Sequence, residues 1–293
     1  FTIGALTHAS ARVNSNFLLS DVFTVNNNLL KLDFENLHAV AQQKNNFEAG
    51  ISAPFWMLAL KTGKGSVTFF ANAKTSLNSV ISDDFIQLAA YGFSDSFALS
   101  NEKILATSYT EIGFGYTHQF LDKRLAVALR LKSLYGKSHA KIQENASFSV
   151  DIDPITSFWN VRASNATLHT AGIEDPEYDD LSLFTENNGF AMDLGATYAI
   201  TDKLTLELAV NDIGSIHWTE NVRNYHLDDS EGTVYSGIDL NTDNSIEEEI
   251  EDALNEVIGS SETAEPFTTK LAVKTFFSAR YQLTPKNTLV GAF

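Results

Sequence analysis

Two neighbouring runs of the chain, Tyr109 to Phe120 and Leu125 to Gly136, alternate apolar and polar residues. Because the side chains of a strand point alternately to its two faces, each run predicts a strand with one apolar face. Strands of globular proteins usually have about five or six residues, and these runs are about twice as long. A tilted membrane-spanning strand takes about 9 to 11 residues. The two runs therefore predict a membrane-facing hairpin of a closed β-barrel, the β arrangement that leaves no unpaired backbone in lipid.

The same alternation recurs in nine runs, at about residues 1–8, 47–57, 67–73, 111–120, 125–132, 190–200, 204–210, 271–283 and 289–293. Short turns such as Asp122-Lys123 and Asp202-Lys203 join them at one end. The long connections all fall at the other end, at residues 9–45, 76–106, 139–188 and 219–266. Outer-membrane barrels have short periplasmic turns and long outer loops.

The sequence therefore predicts an all-β fold, a transmembrane antiparallel up-and-down β-barrel that forms a single domain over residues 1–293. Helical spacing and N-cap residues predict short helices in the extracellular loops, near 33–42 and 82–91. Nine strands that end on an ascending run do not give an even-stranded barrel with both termini inside. We therefore expect the C-terminal strands to be missing from this chain.

Composition and charge narrow the function classes. The absence of Cys excludes disulfides and thiolate sites, and no run of 18 apolar residues predicts a helical membrane span. The net charge of −17 argues against nucleic acid as a partner, because binding to phosphates requires clustered Lys and Arg. Residues 219–266 hold fourteen Asp and Glu against one basic residue, Arg223. This acidic loop is predicted to face outward.

Two stretches carry a resemblance to a known family. They are Glu111-Ile-Gly-Phe-Gly-Tyr116 through Gly136, and Asn188-Gly-Phe-Ala-Met-Asp-Leu-Gly-Ala-Thr-Tyr198 through Trp218. The chain resembles an uncharacterised family of Bacteroidetes outer-membrane β-barrels, a domain of unknown function whose members are longer at the C-terminus. It is more distantly similar to barrels of the fatty-acid-channel type and to barrel subunits of secretion machinery. The resemblance implies a location in the outer membrane of a Gram-negative cell, and it implies no catalytic residues.

The polar faces of the predicted strands carry charges of both signs to the barrel interior. The predicted lumen-facing charges are Glu111, Arg130, Lys132, Asp193, Glu207, Lys270, Lys274 and Arg280. Opposite charges inside a barrel either bridge across the lumen and close it or line a wet pore. We favour bridging, because an isolated buried charge is costly and both signs are present.

The acidic loop contains the candidates for a metal site and a partner site. Asp239, Asn241 and Asp243 match the first half of a calcium-binding loop, but Ile250 stands where an EF-hand has its bidentate Glu. These residues are therefore candidates only for a looser surface calcium site, and we expect no other cofactor. Behind Ser245, apolar residues at helical spacing predict an amphipathic helix that either packs on the barrel rim or docks another protein. The partner-binding candidates on it are Glu247, Glu248 and Glu249.

Three functions are compatible with these patterns. The first is a non-enzymatic accessory or scaffold subunit of a larger outer-membrane complex, with the lipid bilayer and other outer-membrane or surface proteins as partners. The second is a channel for small or hydrophobic solutes. The third is an outer-membrane hydrolase, which would need Ser and His to converge in space. The seven histidines show no His-Glu-x-x-His spacing, and His118 falls on an apolar face near a turn, where an interfacial ring is expected.

Overall fold

A computed structural model describes residues 2–4, 9–26, 29–91, 96–100, 102–143, 146–153, 155, 159–173, 183–235 and 261–292. The strands among these residues are β1 Thr2–Gly4, β2 Ser10–Ser15, β3 Phe23–Asn26, β4 Leu29–Leu32, β5 Lys44–Thr62, β6 Gly65–Ser82, β7 Phe97–Ser100, β8 Lys103–Phe120, β9 Leu125–Ile142, β10 Ser147–Ile152, β11 Trp159–Ala171, β12 Asn188–Ala199, β13 Leu204–Trp218, β14 Val222–Tyr235, β15 Ser261–Thr263, β16 Phe267–Lys270, β17 Lys274–Thr284 and β18 Asn287–Ala292. The helices are α1 Leu19–Val22, α2 Phe34–Val40 and α3 Asp83–Tyr91.

Sixteen of these strands form one antiparallel sheet that curls into a half-barrel, and nine of them are neighbours in the order β1-β5-β6-β8-β9-β12-β13-β17-β18. The spatial order of these nine strands follows their order in the chain, as in an up-and-down meander. This arrangement confirms the predicted all-β antiparallel fold. Each of the nine predicted runs overlaps one of these nine strands. The strands are longer than their apolar runs, since β6 continues to Ser82 and β8 begins at Lys103, inside the predicted loop 76–106.

The long connections contain strands that the apolar pattern did not predict. β7, β10, β11, β14 and β15 pair in that order, and β11 also pairs with the end of β9. We call these five strands the upper sheet. Polar side chains pair across it: Thr167 Oγ1 lies 2.8 Å from His226 Nδ1, and His169 Nδ1 lies 2.6 Å from Asn224 Oδ1. Because these strands lack a plain apolar alternation, periodicity does not reveal them.

The two predicted helices near 33–42 and 82–91 are confirmed as α2 and α3. The Asp33 carboxylate accepts a hydrogen bond from the backbone N–H of Asn36, and the Ser82 hydroxyl accepts one from Phe85, so both helices have N-caps. The helices pack through a small core of Val22, Leu37 and Ile86. The helix predicted behind Ser245 lies outside the described residues. No helix in the part of the chain that the structure describes is long and apolar enough to cross a membrane.

The outer face of the sheet is apolar across many strands. One row runs through directly paired residues of six strands: Leu60, Val67, Tyr116, Leu129, Leu194 and Val210. The next row contains Phe69, Phe114 and Leu131. These side chains are exposed to an unusual degree for their type, with Leu129 at 39% and Leu194 at 45%. The rows together form a continuous apolar surface, which we call the outer belt.

The inner face holds the main core near one end of the long strands. Trp218 is fully buried there, among Tyr109, Leu134 and Ile216, and Phe267 packs against this cluster. Gly136 makes room for the indole, because a Cβ at this position would lie 2.6 Å from Trp218 Cη2. Gly113 has the same function for the Phe70 ring. Small residues on one strand therefore accommodate the aromatic rings of others.

Candidate functional site

Six consecutive strands of the sheet each place one charged side chain in a single group on the inner face. The strands are β6, β8, β9, β12, β13 and β17, and we call the group the ion-pair cluster: Lys74, Glu111, Lys132, Asp193, Asp212 and Lys274. It contains three ammonium groups and three carboxylates. The formal charges therefore balance within the cluster.

Lys132 is the centre of the ion-pair cluster. Its side chain is 1% exposed, and its Nζ lies 2.5 Å from Asp193 Oδ1, 2.6 Å from Asp212 Oδ1 and 3.6 Å from Glu111 Oε2. A buried ammonium is costly unless charged partners and hydrogen bonds surround it. The three carboxylates meet that requirement, because they come from three different strands and converge on one nitrogen.

Lys74 and Lys274 complete the network around the same carboxylates. Lys74 Nζ lies 3.0 Å from Glu111 Oε2 and 3.2 Å from Asp212 Oδ1. Lys274 Nζ lies 3.5 Å from Asp212 Oδ2, and its side chain is 56% exposed. Asn72 donates a hydrogen bond to Glu111 Oε1 at 2.6 Å. Lys274 is thus the most exposed and most loosely held member of the cluster.

A β-bulge turns Asp212 inward. The pairing of β12 with β13 shifts by one residue between Met192–Ile213 and Leu194–Val210, and Asp212 has a φ of +63°. The Asp193 Oδ1 atom accepts a hydrogen bond of 2.8 Å from the Asp212 backbone N–H. Asp193 therefore has two functions, since it holds the bulge open and binds Lys132. An extra residue of this kind re-aims the side chains of its strand.

A cavity of about 410 Å³ adjoins the ion-pair cluster. It lies between β2, β5 and β6 on one side and β13, β16 and β17 on the other, and its lining includes Lys74, Tyr109, Asp212 and Lys274. Apolar side chains, including Leu105 and Ile216, also line it. The cluster thus forms part of the wall of a space large enough for a small molecule.

Histidine and threonine side chains cross the inner face beside this cavity. His139 is buried, its Nδ1 lies 3.0 Å from the Thr107 hydroxyl, and its Nε2 lies 3.1 Å from the Thr269 hydroxyl. The imidazole also stacks on Trp218, with ring centroids 5.0 Å apart. The contacts link β8, β9 and β16. They use both ring nitrogens of His139 in hydrogen bonds, which favours a structural function for it.

The family to which the chain belongs is shown by its sequence. A family described as a family of unknown function, DUF5723, matches residues 1–293. The chain belongs to the DUF5723 family. No curated protein and no solved structure matches it. The match supports the predicted resemblance to a family of unknown function.

The structure brings together four of the eight charges that the sequence predicted to face the lumen of this DUF5723 chain: Glu111, Lys132, Asp193 and Lys274. Glu207 and Arg280 form a separate ion pair at 2.9 Å. The Arg130 guanidinium carbon lies 5.5 Å from the centroid of the Phe70 ring, on the inner face. Lys270 is exposed and forms no ion pair with the described residues, and it pairs with Ser215 on the face of the sheet that carries Phe190, whereas its neighbours Thr269 and Leu271 face the inner core.

Two members of the cluster were absent from the prediction. Lys74 could have been found, because it continues the alternation of Asn72 on the inward face of β6. Asp212 could not, because the bulge breaks the period of two just before it. No group of three or more His, Asp and Glu suited to a metal occurs in the described ranges. The calcium candidates Asp239, Asn241 and Asp243 and the partner candidates Glu247, Glu248 and Glu249 lie outside those ranges.

Proposed function

We propose that this DUF5723 protein is a Bacteroidetes outer-membrane β-barrel. We propose that it acts as a non-enzymatic accessory or scaffold subunit of a larger outer-membrane complex. The observation that carries the proposal is the division of the sheet into an apolar outer face and an ionic inner face. Each half of this division supports a different part of the proposal.

The outer belt supports a location in the membrane. Soluble monomers rarely expose contiguous apolar patches larger than a few hundred Å². Here the apolar rows continue from strand to strand, and residues such as Leu129 and Leu208 point away from the half-barrel with 39% and 49% of their surface exposed. Hydrocarbon is the environment that accepts such a surface. The interfacial aromatic residues fit as well, since the Tyr116 hydroxyl lies 2.9 Å from His118 Nδ1 near the short-turn end.

The inner face supports a scaffold rather than a pore. The ion-pair cluster links six neighbouring strands and buries Lys132 almost completely, and Trp218, His139 and Thr269 fill space on the same face. A barrel interior bridged in this way resists the passage of solutes. The upper sheet and the acidic loop then provide the surface on which partner proteins from the cell surface would bind.

Labelling of single introduced cysteines tests the membrane topology directly, because the chain has no Cys of its own that would react. Lys203 and Glu220 are exposed residues at opposite ends of β13, so single variants Lys203→Cys and Glu220→Cys form a matched pair. On intact cells, a membrane-impermeant maleimide should label Glu220→Cys and should miss Lys203→Cys until the outer membrane is permeabilised. Equal labelling of both variants on intact cells would contradict the proposal. Recovery of stoichiometric partners in mild detergent would then support the scaffold function.

A channel for small or hydrophobic solutes is the second candidate, and the cavity of about 410 Å³ favours it. Conductance across a planar bilayer, together with liposome swelling, separates the two functions. The scaffold should show neither steady conductance nor swelling. A stable conductance that changes when Lys274 is replaced by Gln would move the channel to first place.

A further inference from the structure

We propose that the short-turn end of the sheet binds the headgroups of anionic phospholipids through a line of basic side chains, which we call the basic row. The inference rests on the proposed membrane location and names the class of lipid that this end of the sheet contacts. The basic row consists of Lys61 and Lys64 at the β5–β6 turn, Lys123 and Arg124 at the β8–β9 turn, Lys203 at the β12–β13 turn and Lys286 at the β17–β18 turn.

The charge of the short-turn end is opposite to that of the chain. The four turns contain six basic residues and two acidic ones, Asp122 and Asp202, whereas the whole chain has a net charge of −17. The acidic loop at residues 219–266 belongs to the long connections at the other end. A local excess of positive charge attracts anions and raises their local concentration. The short-turn end is therefore the part of this acidic chain that suits an anionic surface.

The cations of the basic row are available to an external anion. All six are exposed, and none forms an ion pair with the residues that the structure describes. Lysines on the inner face differ, because Lys74 Nζ lies 3.0 Å from Glu111 Oε2 and Lys132 Nζ lies 2.6 Å from Asp212 Oδ1. Charge-assisted hydrogen bonds to a phosphate are among the stronger polar contacts, and the basic row has this capacity unused.

Each turn places a lysine beside the outer belt. An exposed apolar residue precedes it by three or four positions in the chain: Leu60 before Lys64, Phe120 before Lys123, Ile200 before Lys203 and Leu283 before Lys286. A lysine can keep its methylene stem along an apolar surface while its ammonium extends into water. An anionic lipid suits both neighbours, since its phosphate meets the ammonium and its acyl chains meet the apolar side chain. This arrangement favours a lipid over an acidic protein as the partner.

Tyrosines in the same zone place the basic row at the level of the headgroups. Tyr198 and Tyr281 lie five positions before Lys203 and Lys286, and 43% and 42% of their surfaces are exposed. Membrane barrels carry girdles of aromatic residues at their two interfaces with water. A cation just beyond such a girdle lies where lipid phosphates are found.

Backbone contacts hold the turns in a fixed order along the edge of the sheet. Each contact joins one turn to the first strand of the next hairpin, so neighbouring turns are two strands apart, or about 10 Å. The Debye length at physiological salt is about 8 Å, so the fields of neighbouring turns partly overlap. The three hydrogen bonds run from Gln119 N to Lys64 O at 2.8 Å, from Ala199 N to Arg124 O at 2.7 Å and from Gln282 N to Lys203 O at 2.8 Å.

The association of spin-labelled lipids with the folded protein measures this preference. The protein is reconstituted into phosphatidylcholine vesicles, and electron paramagnetic resonance compares the protein-bound fractions of spin-labelled phosphatidylglycerol and spin-labelled phosphatidylcholine. Wild-type protein should prefer the anionic lipid by about twofold or more, as expected for several Lys and Arg at a membrane surface. The preference should fall as salt is raised from about 0.1 to 1 M, because salt screens exposed charges.

Two sets of variants show whether the basic row causes the preference. Replacing one lysine in each turn should reduce the preference to about that of the neutral lipid. A control that removes the same charge from exposed lysines away from the short turns should keep it, and a heat-modifiability gel verifies that all variants are folded. The row variant is Lys64→Gln/Lys123→Gln/Lys203→Gln/Lys286→Gln, and the control is Lys31→Gln/Lys44→Gln/Lys103→Gln/Lys270→Gln.

Several results would overturn the inference. They are no preference in the wild-type protein, a preference that salt does not change, and equal behaviour of the row and control variants. A row variant that keeps the lipid preference but loses an acidic partner protein would replace the lipid by that protein. In each case the maleimide-labelling test of membrane topology would be unaffected. Failure of the wild-type protein to insert into the vesicles would contradict the proposed membrane location itself, and the inference with it.

Discussion

Replacement of Lys132 by Met tests whether the ion-pair cluster holds the inner face together. Met has a similar length and no charge, so Lys132→Met removes the ammonium but keeps most of the side-chain volume. Glu111, Asp193 and Asp212 would then lie close together with only Lys74 and the exposed Lys274 to balance them. The perturbation therefore leaves buried negative charge without its main partner.

The expected loss follows from burial and distance. Removal of one partner from a buried ion pair costs about 3 to 5 kcal/mol, because the remaining charge is left unpaired in a low dielectric. Lys132 is 1% exposed and lies within 2.6 Å of two carboxylate oxygens, so this range applies. Lys274 is 56% exposed and has one contact at 3.5 Å. Lys274→Met should therefore cost only about 0 to 1 kcal/mol, as for surface pairs.

Equilibrium unfolding in urea, with the protein folded into detergent or lipid vesicles, measures both free energies of unfolding. The double variant Lys132→Met/Asp193→Asn should recover part of the loss, because it removes one unpaired charge while the Asn side-chain oxygen can still accept the hydrogen bond from Asp212 N–H. If Lys132→Met and Lys274→Met had equal effects, the cluster would not stabilise the fold as argued. A lower free energy of unfolding for the double variant than for Lys132→Met alone would also contradict the argument.

Two further predictions concern the faces of the sheet and its core. Leu129→Arg should impair assembly, seen as loss of the heat-modifiable folded band, because Arg on the lipid face costs about 2 to 4 kcal/mol. Arg130→Leu should have a smaller effect, because it loses only a cation–π contact of about 0.5 to 1 kcal/mol. Equal tolerance of both variants would mean that the faces are misassigned. Gly136→Ala should lower the free energy of unfolding by about 1 to 3 kcal/mol, because its Cβ would overlap the Trp218 ring, and Gly291→Ala, with nothing within 4 Å, should change it little.

The sequence predicted the meander because each of its long strands contains a run in which one face is apolar. An apolar face of this kind gives the sequence a period of two, as residues such as Phe114 and Leu129 show. The upper sheet has no such run, since side chains such as His169 and Asn224 pair by hydrogen bonds. Strands of that kind cannot be told from loops by hydrophobic alternation.

The candidate site was predictable in part for the same reason. Glu111, Lys132 and Asp193 fall on inward positions of regular strands, so alternation found them. It could not show which charges meet, because Glu207 and Arg280 lie on equally regular positions and pair with each other instead. Asp212 depends on a bulge that a side chain from another strand stabilises. Such a feature is a tertiary effect and leaves no local signal in the sequence.

The two faces together restrict the register of the strands. A shift of one residue in β9 would carry Lys132 to the outer belt and Leu131 to the inner face, since successive side chains alternate. A shift of two residues in β9 would keep the faces, but it would move Lys132 away from either Glu111 or Asp193, depending on its direction, and it would move Gly136 away from the Trp218 ring. The outer belt alone excludes only the odd shifts, because every second position is apolar. The ion-pair cluster and the glycine–aromatic contacts exclude the even ones, so a charged interior specifies the pairing that an apolar surface leaves open.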